Sequence, residues 1–190
     1  MPRAGLTPDR VVGVAARLAD DVGYDRLTLK EVARRCKVRL PSLYKHVAGL
    51  DGLRRGIALL AIEELTGVLR KAAVGRAGRD ALLALANAYR AYARAHPGRY
   101  AATLRAPEPG DEAVQDASDA VLEVVFAVLR GYDLEGSDAI DATRALRSAL
   151  HGFVALETAG GFGLPEDVDR SFRRLVEGLD AAFRTWRDAG

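Results

Sequence analysis

Residues 28–47 read TLKEVARRCKVRLPSLYKHV, and this stretch decides the fold of the chain. Thr28 followed three residues later by Glu31 is the capping-box signal that starts a helix. The apolar residues that follow repeat at i, i+3, i+4 and i+7, which predicts one buried helical face. A short break at 37–39 separates this helix from a second, very short one, predicted over 40–47. The predicted buried residues of the pair are Leu29, Val32, Ala33, Cys36, Leu43 and Val47.

Two short helices joined by a three-residue turn form the arrangement of a helix-turn-helix. The second helix is polar where a core helix would be apolar. Arginine and lysine pair with phosphates, serine and tyrosine hydroxyls bond phosphate oxygens or base edges, and arginine can fork onto guanine. From these residues alone the pair is either a nucleic-acid-binding surface or a small exposed helical hairpin. The polar residues are Arg39, Ser42, Tyr44, Lys45 and His46.

Helical spacing recurs on both sides of this pair, and no strand pattern of useful length occurs. Thr7 and Pro8 predict the start of a first helix, which Gly23 ends. The sequence therefore predicts an all-α chain of about nine helices. Besides those at 28–36 and 40–47, the helices are predicted at about 8–22, 50–73, 79–95, around Tyr100, 111–130, 137–158 and 167–188.

Composition and charge narrow the class of protein. The chain has 190 residues, 49% of them hydrophobic and 28% charged, which excludes a disordered chain. No apolar run approaches ~18 residues, so no membrane span is expected. The N-terminus lacks a signal-peptide core, and Cys36 is the single cysteine, so a cytoplasmic protein is expected. Residues 1–55 hold twelve Arg or Lys against six Asp or Glu, a basic end suited to a polyanion.

Residues 6–54 resemble the DNA-binding domain of the tetracycline-repressor (TetR) family of bacterial transcriptional regulators. The resemblance rests on three stretches: GYDRLTL at 23–29, VARR at 32–35 and VRLPSLYKHV at 38–47. The length and the further helices also fit the family. The segment HGFVALE at 151–157 is similar to the His-Gly-containing C-terminal domain of one TetR subgroup.

The resemblance implies a role for each residue of the helix pair. Thr28 and Lys30 are expected to touch the DNA backbone. Arg39, Leu40, Pro41 and Ser42 are expected to meet base edges or thymine methyl groups. Tyr44, Lys45 and His46 are expected to clamp phosphates, while Leu43 and Val47 stay inside.

This sequence departs from the family pattern at two positions. The turn between the two helices usually holds glycine, and here it holds Lys37, which must either adopt a positive φ or reshape the turn. The family usually has a phosphate-binding lysine near the start of the fourth helix, and the matching position is Leu50. Lys37 or Arg54 is the candidate replacement for that contact.

No catalytic or metal-binding constellation is found, so neither an enzyme nor a cofactor is expected. His46, His96 and His151 lie about fifty residues apart and, with one cysteine, lack metal-ligand spacing. The glycine-rich stretch 160–163 follows a predicted helix and lacks the GxGxxG pattern.

The C-terminal helices carry apolar and aromatic residues at inward spacings, which is typical of plain core. The resemblance implies an effector cavity among them, for a small apolar or amphipathic molecule. Glu157 is one of the acidic groups near these stripes and is a candidate for recognising a polar group of the ligand. The predicted ligand-binding residues are Ile62, Leu65, Leu69, Tyr89, Tyr92, Tyr100, Phe126, Phe153 and Glu157.

The last two helices carry two wide apolar stripes, more than one small core needs. An isologous four-helix contact between two copies would bury both. The predicted interface residues are Leu150, Val154, Phe172, Leu175, Val176, Leu179, Phe183 and Trp186.

The sequence therefore predicts a homodimeric regulator that binds a palindromic site on double-stranded DNA, most simply a ligand-responsive repressor. Residues 1–54 form the predicted DNA-binding domain and residues 55–190 the dimerisation and effector domain. Two alternatives stay open. One is a constitutive DNA-binding regulator with a filled core, and the other is a ligand-binding or enzymatic protein whose helix-turn-helix has no function.

Overall fold

The computed structural model describes residues 6–186 of the chain. Within that range the chain is helical, with nine α-helices, two 3₁₀ turns and no strand, which confirms the predicted fold class. The predicted bounds are confirmed to within a few residues, except that the short third helix ends at Leu43 rather than at Val47. The helices are α1 (Pro8–Val22), α2 (Leu29–Cys36), α3 (Leu40–Leu43), α4 (Gly49–Ala73), α5 (Gly78–Ala95), α6 (Pro97–Ala102), α7 (Glu112–Leu129), α8 (Gly136–Thr158) and α9 (Val168–Thr185).

Local sequence signals fix the ends of the first two helices. Thr7 caps α1 by accepting a hydrogen bond from the Arg10 amide at 3.2 Å, and Gly23 ends the helix at φ 95°. Thr28 caps α2: its hydroxyl accepts from the Glu31 amide at 3.3 Å and donates to the Glu31 carboxylate at 2.8 Å. A cap of this kind contributes about 1 kcal/mol to helix stability.

The chain forms two compact units. The first contains the described residues up to Glu64 together with Ala95–Ser118, and the second contains Leu65–Arg94 and the described residues from Asp119 onward. α4 and α7 therefore contribute residues to both units. The functional division at residue 54 predicted above stays a prediction.

The core of the first unit lies beneath the helix pair. Val11, Val32, Leu43, Leu53 and Ile57 are each fully buried and belong to one apolar cluster. Burial of such a side chain contributes about 1.5–3 kcal/mol, so the short α3 is held by Leu43 rather than by its own hydrogen bonds.

Helix α6 belongs to the first unit and lies against α1. A Cβ atom added at Gly98 would stand 2.1 Å from the carbonyl carbon and oxygen of Ala19, so only glycine permits this approach. Arg99 fastens the contact: its amide and Nε donate to Asp20 at 2.9 and 2.8 Å, and its Nη1 reaches Glu64 at 2.9 Å. α6 is thus joined both to α1 and, through Glu64, to α4.

The second unit contains a buried polar contact besides its apolar core. The Tyr132 hydroxyl donates to Asp180 at 2.7 Å, and Asp180 is 7% exposed. Burial, then this hydrogen bond, raises the pKa of Tyr132 well above its ordinary range. None of the described helices is long and apolar enough to cross a bilayer.

Candidate nucleic-acid interface and effector region

The helix pair separates its residues by face, as the sequence predicted. Leu43 is fully buried and Val47 is 9% exposed, and they share an apolar cluster with the buried Val32 and Ala33. Leu29 and Cys36, predicted inward, are half-buried and pack against the same cluster. The residues on the other side of α3 therefore project from a fixed base.

The ten residues assigned to DNA lie outside this core. Tyr44 is 56% exposed and Leu40 is 37% exposed, which is unusual for large apolar side chains in a short helix. Such exposure leaves apolar and hydroxyl surface free for a partner. Thr28, Lys30, Lys37, Arg39, Pro41 and Lys45 are exposed as well, and Ser42 and His46 are half-buried.

The turn between α2 and α3 has a lysine in a left-handed backbone conformation. Lys37 adopts a left-handed conformation, φ 58° and ψ 39°, and the following Val38 amide donates to the Ala33 carbonyl at 3.0 Å. A residue with a Cβ is strained in this conformation by roughly 1 kcal/mol relative to glycine.

We therefore expect Lys37→Gly to raise the free energy of unfolding by up to about 1 kcal/mol, because the strain is removed. The same change removes one exposed positive charge, so DNA affinity should fall. Urea unfolding and DNA titration of the same preparation measure the two effects. Lys37→Asn, which tolerates a positive φ but is uncharged, is the matched control. If both variants bind DNA as tightly as the wild type, the lysine has no contact with DNA.

Leu50 and Arg54 occupy the start of α4, where the family places a phosphate-binding lysine. Leu50 is half-buried. The Arg54 guanidinium lies over the Tyr24 ring, 5.8 Å from its centroid, and its Nε is buried without a hydrogen-bond partner. Arg54 is thus engaged with its own unit, whereas Lys37 is exposed.

The predicted ligand-binding residues fall in both units. Ile62 and Tyr100 belong to the first unit and are buried there. The remaining seven belong to the second unit. Leu65, Leu69, Tyr89 and Tyr92 are buried, and Phe126, Phe153 and Glu157 are half-buried.

Phe153 and Glu157 take part in a packed cluster around Arg90. Arg90 is 7% exposed and donates to the two oxygens of Glu157 at 2.6 and 2.8 Å. Its guanidinium lies 4.7 Å from the Phe172 ring centroid and 5.5 Å from that of Phe153. The hydrogen bond from Arg90 holds the pKa of Glu157 below its ordinary value. The negative charge of Glu157 is therefore balanced by Arg90 of the same chain. Asp169 places a second carboxylate 2.8 Å from Arg90.

A cleft opens in the second unit between the end of α4 and the end of α7. Its volume is about 550 Å³, within the roughly 300–1,000 Å³ of small-molecule sites. Phe126 is the one predicted ligand-binding residue in its lining. The lining residues are Arg70, Ala73, Val74, Glu123, Val124, Phe126, Ala127 and Arg130.

The residues predicted for the dimer interface divide into two groups. Five have almost no exposed surface in the single chain, so they form the core of their own unit. Leu175, Leu179 and Trp186 are half-buried and keep surface for a partner. The five buried residues are Leu150, Val154, Phe172, Val176 and Phe183, each 1–2% exposed.

Three residues outside the predicted sites, Gly98, Arg90 and Arg99, make close contacts in the structure. Arg90 carried a usable signal, because it follows Ala86 by four residues and precedes Ala93 by three on the buried face of α5. A charged residue on a buried helical face implies a buried ion-pair partner. Gly98 and Arg99 carried no such signal. Among the described residues no group of His, Cys, Asp or Glu is arranged to hold a metal ion.

Comparisons with known proteins agree on one family. Residues 11–51 match the family described as bacterial regulatory proteins, tetR family, and residues 82–179 match the tetracyclin repressor-like C-terminal domain. The HTH-type transcriptional regulator Rv0681 of Mycobacterium tuberculosis is 40% identical over 87% of this chain and 75% of its own. YobS of Bacillus subtilis, also an HTH-type transcriptional regulator, is 35% identical over 97% of this chain and 93% of its own.

Solved structures share the fold. A protein of unknown function from Rhodococcus sp. RHA1 superimposes with a TM-score of 0.74 at 24% identity, over 99% of this chain and 98% of its own. A TetR variant from Acinetobacter baumannii AYE in complex with minocycline superimposes with a TM-score of 0.72 at 22% identity, over 96% of this chain and 99% of its own.

The exposed helix-turn-helix on its apolar base and these relatives together identify a DNA-binding transcriptional regulator. The chain belongs to the TetR family of such regulators.

Proposed function

We propose that the protein is a ligand-responsive repressor that binds a palindromic operator as a homodimer. One observation carries the DNA-binding part: ten residues of matching chemistry lie outside the core of a helix pair that Leu43 and Val47 anchor. Arg39 and Ser42 stand at the start of α3, where they would face base edges. Tyr44 and Lys45 follow it, where they would bond phosphates.

Lys37 supports the same proposal, because it is exposed and its ammonium group would make the phosphate contact that the family gives to a lysine at the position of Leu50. The Thr28 hydroxyl already donates a hydrogen bond to the Glu31 carboxylate. Thr28 would therefore contribute to DNA binding by starting α2 beside the DNA backbone, rather than through its hydroxyl. The free amides at the start of α2 would then face a phosphate.

Salt dependence of DNA binding tests this proposal directly. Displacement of counterions from phosphates makes affinity fall linearly with the logarithm of salt concentration. We expect fluorescence anisotropy of a labelled operator duplex to give a steep negative slope, and Lys45→Ala to reduce the slope by about one. A salt-independent affinity would favour the alternative in which the helix pair has no DNA-binding function.

The dimer part rests on small residues on the open faces of α8 and α9. Gly178, Ala181, Ala182 and Thr185 are exposed at i, i+3, i+4 and i+7. A Cβ atom added at Gly178 or Gly152 would meet nothing within 4 Å. Small residues let two helices approach closely, so a second copy can pack there and also cover Leu175 and Leu179.

We expect Gly178→Trp to weaken dimerisation by roughly 5- to 150-fold, since an indole at the contact costs roughly 1–3 kcal/mol. Gly67→Trp is the matched control, because a Cβ added at Gly67 on α4 also meets nothing within 4 Å. Sedimentation velocity at micromolar concentration measures both. A monomeric wild type, or an unaltered dimer for Gly178→Trp, would contradict the proposed interface.

The effector part of the proposal rests on the second unit. This unit contains seven of the nine predicted ligand-binding residues, and it also contains the cleft, which Phe126 lines. The A. baumannii TetR variant solved with minocycline supports a small molecule as effector. A ligand that binds the DNA-released state better by ~1.4 kcal/mol would change occupancy about tenfold. A regulator that binds DNA identically with every compound tested would be constitutive instead.

A further inference from the structure

The cleft between α4 and α7 combines an apolar floor with two arginines. Ala73, Val124, Phe126 and Ala127 line it, and Val74 at its edge is 69% exposed. An exposed valine beside half-buried aromatic surface offers an apolar body a place to bind.

The cleft is lined by two positively charged residues and one negatively charged residue. Arg70 comes from α4, Glu123 from the last two turns of α7, and Arg130 from the 3₁₀ turn that follows α7. Within the part of the chain that the structure describes, neither arginine forms an ion pair. Arg90 of the same unit is by contrast paired with both Glu157 and Asp169. The cleft therefore carries a net charge of +1, and the guanidinium groups of both arginines are available to an anion.

We infer that this cleft binds an amphipathic anion, a molecule with a carboxylate or phosphate head and an apolar body. Guanidinium groups bind both heads through paired hydrogen bonds. A cationic ligand would meet two arginines, and a neutral one would use neither. The inference deepens the proposed function, on which it rests for the role of the bound molecule as effector.

Calorimetric titration of the full-length protein with four probes of one chain length tests the inference. The probes are dodecanoate, dodecyl phosphate, dodecanol and dodecyltrimethylammonium, each below its micellar concentration. We expect at least one anion to bind more than about tenfold tighter than the alcohol, and the ammonium probe not to bind. The two anionic probes separate a carboxylate head from a phosphate head. Equal binding of all heads, or no binding of either anion, would overturn the inference.

Variants localise the site. Arg70→Gln with Arg130→Gln should weaken the anion at least about tenfold and leave the alcohol unchanged, while Ala127→Trp should block every probe. Arg144→Gln is the control, because Arg144 is an exposed α8 arginine paired with Asp141. Anion affinity that survives the double substitution would place binding elsewhere and overturn the inference.

DNA release is measured separately on the same samples. If an anion binds the cleft and DNA stays bound, the site stands and the effector role in the proposed function fails. If no anion binds the cleft but the protein still binds its operator, the inference about the anion fails and the proposed DNA-binding function stands.

Discussion

Gly98→Ala is expected to destabilise the protein by about 2–3 kcal/mol, although alanine is the better helix former by up to about 1 kcal/mol. Steric overlap decides the sign: the added Cβ would stand 2.1 Å from the Ala19 carbonyl, so α6 must move away from α1. That movement stretches the Arg99 hydrogen bonds to Asp20 and Glu64 as well. At ~2–4 °C per kcal/mol, thermal unfolding followed by circular dichroism should shift down by roughly 4–12 °C.

Gly67→Ala supplies the matched comparison, because Gly67 is also inside a helix but its added Cβ meets nothing within 4 Å. We expect this variant to be as stable as the wild type or more stable, by up to about 1 kcal/mol. A Gly98→Ala protein that melts no lower than Gly67→Ala would show that the α1–α6 approach is not the tight contact described above.

The second large effect concerns DNA. Tyr44→Ala and Lys45→Ala should each weaken binding to all duplexes by similar factors, because both residues are assigned to phosphates. Arg39→Ala should instead relax the preference at one or two base pairs, with a loss of about 1–3 kcal/mol there. Binding of each variant to the operator and to a panel of single-base changes measures this difference.

Arg34→Ala is a suitable control, since Arg34 is an exposed arginine on α2 that was given no DNA contact. Its affinity should change little. If Arg39→Ala lowered affinity for every duplex equally, the assignment of Arg39 to base edges would be contradicted.

The helix pair could be predicted closely because its signals are local. The Thr28–Glu31 cap, the inward Leu43 and Val47 and the unusual turn at Lys37 each depend on residues within one or two helical turns. Local rules decide such features before any tertiary contact forms.

Contacts between distant residues could not be predicted in the same way. Arg90 and Glu157 are 67 residues apart in sequence, and the approach of Gly98 to Ala19 depends on how two helices pack. An amphipathic stripe shows that a face is buried but not what buries it. Phe172 and Val176, which the stripe places in the predicted dimer interface, are buried within their own unit in the single chain.

The central claim is that two copies of this helix pair read DNA together, and selection from a random duplex library measures it. The full-length protein is mixed with the library, bound duplexes are recovered over several rounds, and the enriched sequences are aligned. We expect a palindrome whose half-sites lie about one helical turn apart, and loss of enrichment when Tyr44→Ala is combined with Lys45→Ala. No enriched sequence, or a single asymmetric motif without a second half-site, would contradict it.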